Sequence, residues 1–103
     1  MNSTLPISNE AIQKNLFRIT NQIYKLLPNR EEGIDWKKPL QTLIIELTGM
    51  SSFFPDQKEL FSLLCKLEAL QTLEAEEDFL LFRKTIFECL GLMDVIKANV
   101  GNR

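Results

Sequence analysis

Seven apolar residues near the end of the chain, Phe79, Phe82, Ile86, Cys89, Met93, Ile96 and Val100, recur at spacings of 3, 4, 3, 4, 3 and 4. On an α-helix these positions form one stripe, because side chains three and four residues apart stand above one another. In a strand, an odd spacing would send neighbouring members to opposite faces. The segment is therefore committed to a helix that needs a partner surface. The same period runs through the rest of the chain, and no run of alternating β-branched residues argues for a strand.

Residues 1–7 read as a flexible lead. Ser8 is a suitable N-cap for a first helix, and Glu10 suits the positive end of its dipole. Ile12, Leu16, Ile19, Ile23 and Leu26 make its stripe, with Phe17 and Tyr24 widening it on one flank. Pro28 predicts an end near Leu27. Residues 28–35 combine Pro, Asn and Gly with Arg30, Glu31 and Glu32, which reads as a loop. Asp35 is placed to cap a second helix, with Pro39 in its first turn. Trp36, Leu40, Leu43, Ile44, Leu47 and Met50 share its apolar face, and Gly49 marks its stop. After the break at Phe53-Phe54-Pro55, Asp56 and Glu59 have capping-box spacing. Leu60, Leu63, Leu64, Leu67 and Leu70 continue as a third stripe, with Phe61 beside it.

No Gly or Pro occurs between Pro55 and Gly91, so the third and fourth segments could merge into one long helix. Advancing roughly 100° per residue, however, the fourth stripe is rotated by roughly 80° from the third. A break between Leu70 and Ala75 restores a shared core. Thr72 could cap the helix that follows, and Glu74, Glu76, Glu77 and Asp78 would crowd its first turns, where negative charge is favoured. The expected fold is an all-α, four-helix antiparallel bundle with helices near 8–27, 36–50, 56–71 and 74–100. The connections are short enough for neighbours to pack antiparallel. With 103 residues, 45% of them hydrophobic, the chain suits one helical domain over 8–103 with a core of its own.

Composition narrows the chemistry. There is no histidine, which removes the commonest general acid–base residue and any His-ligated metal. Twelve basic and fourteen acidic residues leave a net charge of −2, so the footprint of a phosphate-binding protein is missing. A helix-turn-helix reading of the second and third helices fails on the same ground. Residues 56–71 set Lys58 and Lys66 against Asp56, Glu59 and Glu68, a surface DNA would repel. Nucleic acid is thus disfavoured as a partner. Cys65 and Cys89 both fall in apolar helical runs and read as buried thiols without a disulfide. The opening residues carry no secretory signal pattern, and no uncharged stretch is long enough to span a bilayer. A cytoplasmic setting without membrane contact is expected.

Three carboxylates, Glu74, Glu77 and Asp78, share one helical face and could hold Mg²⁺ or Mn²⁺ through hard oxygen ligands. A metal-dependent hydrolase of this kind would need a second acidic motif on a facing helix. The position that would complete one on the same helix is Gly91. A solvated first turn stabilised by the helix dipole is the preferred account of the cluster. Ser51 and Ser52 lack both a nucleophile-elbow motif and a base. Trp36 with Lys37 and Lys38 could stack on a base, but Trp36 also opens an apolar face and reads as a core anchor. The 29–35 loop could serve recognition, like any exposed connection. No catalytic residue and no cofactor is implied.

The remaining signal lies in the last helix. From Phe79 to Val100, 14 of 22 residues are apolar, twice what one stripe requires. Leu80, Leu81, Phe87, Leu92, Val95 and Ala98 occupy a second arc, with Gly91 among them. A helix apolar on two sides is either central or covered by another chain, and a four-helix bundle has no enclosed central helix. The expectation is a non-enzymatic interaction protein, an adaptor, accessory subunit or regulator, working through helix-face contacts. The expected interface is Leu80, Leu81, Phe87, Gly91, Leu92 and Val95. A homodimer is the first expected partner; the competing accounts are a heterologous protein on this arc, or residues 1–7 or the 28–35 loop folded over it. The alternatives are the hydrolase built on Glu74, Glu77 and Asp78, or a small nucleic-acid-binding regulator.

Overall fold

A computed structural model describes residues 9–73 and 78–101. They form four helices, α1 (Asn9–Glu31), α2 (Lys37–Ser51), α3 (Lys58–Leu70) and α4 (Phe79–Gly101), and no strand occurs among the described residues. Each helix packs on two neighbours, in the ring α1–α2–α3–α4–α1. The directions follow from cross-helix contacts. Arg18 of α1 pairs with Glu46 of α2 at 2.7 Å, while Arg30 lies over Trp36 just before α2 begins. Gln13 Nε2 donates to the Lys97 carbonyl and Arg30 lies over Phe82, so α1 and α4 run oppositely. Lys66 pairs with Glu88, and Asn99 Nδ2 donates to Gln57 and Glu59, so α3 and α4 do too. The result is the antiparallel four-helix bundle that the stripes predict.

The core is the set of stripes brought together. Leu16, Ile19, Ile23 and Leu26 of α1 meet Leu40, Leu43 and Leu47 of α2. Leu60, Leu63, Leu67 and Leu70 of α3 meet Phe82, Ile86, Cys89, Met93, Ile96 and Val100 of α4, all of them buried. Phe54 closes the end between α2 and α3. At the opposite end Trp36 is half-buried, edge-on to Phe82 with ring centroids 4.9 Å apart. The Arg30 guanidinium lies 4.6 Å from the Phe82 ring centroid and 5.3 Å from that of Trp36, and donates to the Leu73 carbonyl. This one cation joins α1, the start of α2, the exit of α3 and the start of α4.

Several expected boundaries move. α1 does not stop before Pro28 but continues to Glu31. Pro28 removes one intrahelical hydrogen bond, a loss of about 3 kcal/mol in an isolated helix interior. Here the extra turn carries Arg30 to its aromatic seat. It then closes on Gly33, at φ 74°, where the Ile34 and Gly33 amides donate to Asn29 and Arg30. That is a Schellman closure, so the loop is 32–36 rather than 28–35.

Asp35 does cap α2, its Oδ1 accepting from the amides of Lys37 and Lys38. The capping box at Asp56 does not form. α3 starts at Lys58 behind an extended Gln57 with no side-chain cap, and Glu59 instead accepts from Asn99. Thr72 does not open α4 either; its hydroxyl donates back to the Ala69 carbonyl and finishes α3. The break between α3 and α4 is real, with α4 beginning at Phe79 rather than 74. No described helix is long and apolar enough to cross a membrane.

Candidate functional site: the outer face of α4

α4 divides into two arcs. The stripe facing the ring is buried. On the far side Leu80 is 76% exposed, Phe87 49% and Val95 43%, too open to count as core rim. Gly91 and Ala98 are exposed between and beyond them. A Cβ built at Gly91 would meet nothing within 4 Å, so nothing within the described chain requires a glycine there.

Two residues expected on this surface sit elsewhere. Leu92 is half-buried against the core. Leu81 is half exposed but lies seven residues before Glu88, which pairs with Lys66, and so faces the α3 edge.

Charge along the face is graded. Arg83 and Lys84 lie in the first half of α4 and Asp94 in the second. The Arg83 guanidinium lies 5.4 Å from the Phe87 ring centroid. Asp94 is 78% exposed and meets Lys97 at 3.6 Å, a loose contact within one helix turn. Among the described residues Lys84 forms no ion pair.

The edges of the ring differ in character. The α1–α2 and α3–α4 edges are tied externally by Arg18–Glu46 and Lys66–Glu88. The α4–α1 edge carries aromatics instead. Phe17 lies beneath the Lys97 ammonium, 5.6 Å from its ring centroid, and Tyr24 follows two turns later on the same flank of α1. Both were expected to widen the α1 core stripe, yet Phe17 is 62% and Tyr24 55% exposed. Their exposure keeps both rings out of the core. Ile45, Phe53 and Phe61 form a second exposed apolar set on α2, α3 and their connection. The periodicity of α1 and α3 hides these aromatics, because each sits one position beside a true core residue.

The other candidate chemistry falls only partly within the described residues. Glu74 and Glu77 lie outside the described residues, while Asp78 is half-buried just before α4. Among the described residues no three His, Cys, Asp or Glu side chains gather as a metal-binding group. Ser51 and Ser52 donate to the carbonyls of Thr48 and Gly49 and finish α2. A cleft of about 290 Å³ between α1 and α2 is lined by Gln22, Lys25, Leu26, Asn29, Pro39 and Thr42, which include no carboxylate and no thiol.

The cysteines part company. Cys65 is exposed, contrary to expectation, because α3 buries positions 60, 63, 67 and 70 and residue 65 lies on the opposite side. Cys89 is fully buried, and burial pushes its thiol up from 9.0 to about 12, with Lys66 lowering it and Glu88 raising it slightly. A thiol held protonated is a poor nucleophile. A thiol reagent should therefore modify Cys65 promptly and Cys89 only when the bundle opens. Fast modification of both in the native protein would contradict the burial.

Folding raises the Cys89 pKa, so its contribution is complete below the unfolded thiol value and is lost as pH climbs from 9.0 toward about 12. Relative to Cys89→Val, stability should fall over that window with a slope approaching about 1.4 kcal/mol per pH unit. Urea titrations at several pH values check this, and a flat difference would refute it.

The fold and surface together define an antiparallel four-helix bundle whose α4 exposes large apolar residues on its outer face. No protein-family model, no curated protein and no solved structure matches the chain.

Proposed function

We propose that this chain is a non-enzymatic interaction protein, an adaptor, accessory subunit or regulator, whose working surface is the outer face of α4. Its first partner is a second copy of itself. The observation that carries this reading is Gly91 set among Leu80, Phe87 and Val95. A glycine inside a helix costs about 1 kcal/mol relative to alanine. The fold offers no steric reason for it, since a side chain there would enter open space. A bare backbone beside large exposed apolar side chains suits the close approach of another helix. Symmetric pairing is the commonest way a soluble chain covers such a face.

Absence of histidine, the protonated Cys89 thiol and the engaged hydroxyls of Ser51 and Ser52 support the non-enzymatic part of the reading. Light scattering at micromolar concentration tests it. The expected mass is twice the 11.9 kDa of one chain. A monomer would remove the self-partner and leave the face to a heterologous protein.

A further inference from the structure

We infer that two copies of α4 pair antiparallel about a two-fold axis at the level of Cys89. In this register Phe87 of each protomer lies against the partner's Gly91, and Lys84 meets the partner's Asp94. The inference rests on the self-association proposed above and adds its geometry. With roughly 100° of advance per residue, Leu80 and Ala98 point in the same direction, opposite Cys89. Phe87 and Gly91 straddle that direction symmetrically, and Lys84 and Asp94 do so a little further out. Each of these pairs is equidistant along the helix from Cys89. An antiparallel two-fold at that level therefore brings each residue to its counterpart on the other chain.

The matches are complementary in size and in charge. Leu80, the most exposed large apolar residue of the bundle, meets alanine, and Phe87 meets glycine. Lys84, without an ion pair among the described residues, meets Asp94, whose contact with Lys97 at 3.6 Å leaves its carboxylate mostly open. Every match occurs twice. A parallel pairing would instead stack Phe87 on Phe87, leave a gap at Gly91, and set like charges together at Lys84 and Asp94. Like charges in register are destabilising, which selects the antiparallel arrangement. The helix dipoles also oppose one another in that arrangement.

Charge reversal tests the register, with dimer dissociation followed by sedimentation. Lys84→Glu alone and Asp94→Lys alone each convert two attractive contacts into two repulsive ones, and each should weaken the dimer about tenfold. Mixing the two variants in equal amounts should restore wild-type affinity, since both contacts are attractive again in the mixed dimer. Circular dichroism of each variant confirms that the bundle is intact. A wild-type dimer insensitive to both reversals leaves self-association standing and overturns this register. Weakened variants that do not recover on mixing overturn the Lys84–Asp94 pairing. A wild-type chain that stays monomeric overturns the self-association reading itself.

Discussion

Replacing Phe82 by alanine should lower the stability of the bundle by about 3–5 kcal/mol, the range for truncating a buried aromatic residue. Phe82 is fully buried at the start of α4. Its ring takes the edge contact with Trp36 and lies under the Arg30 guanidinium. The truncation leaves a cavity where four elements meet and strips Arg30 of one of its two aromatic faces. Domains have about 5–15 kcal/mol in total, so this single change removes a large share. Urea unfolding should show a lower midpoint at an unchanged slope. A loss below about 1 kcal/mol would mean that the end of the bundle collapses around the gap, and that the Arg30 seat is not a keystone.

Five residues further on, Phe87→Glu should do the reverse. Helical content should stay close to wild type, because the ring is half exposed and its helix is anchored by the opposite stripe. Self-association should be lost. Each dimer would forfeit two buried rings at about 2 kcal/mol each and would have to desolvate two carboxylates, a weakening of at least about hundredfold. Light scattering should therefore report a monomer at concentrations where wild type is a dimer. Retained dimer would place the interface away from α4. Loss of helix would place Phe87 in the monomer core and refute the division of α4 into two arcs.

The contrast between these two phenylalanines marks how far the pattern of residues reaches. A period of 3.6 is a local property, so the stripes alone identified four helices and nearly every core position. The second apolar arc of α4 was legible for the same reason, since it is a surplus beyond one stripe. The break between α3 and α4 followed from the rotation between their stripes. Asp35 acted as a cap because capping depends on neighbours two and three residues away.

Tertiary contacts decided everything that depends on which flank a neighbouring helix occupies. Leu92 was drawn against the core while Leu80 stayed out. Phe17 and Tyr24, expected to widen the α1 stripe, and Phe61, beside that of α3, were left exposed, and Cys65 turned to solvent. Boundaries yielded to the same forces. Pro28 should have ended α1, yet the turn beyond it survives because Arg30 reaches Trp36, Phe82 and the Leu73 carbonyl. Asp56 and Thr72 had the residue types of caps, but Glu59 bonds to Asn99 of another helix and Thr72 turns back to the Ala69 carbonyl. Periodicity states which side of a helix is apolar. Only the packed ring determines how much of that side is covered, because coverage is set by residues distant in the chain.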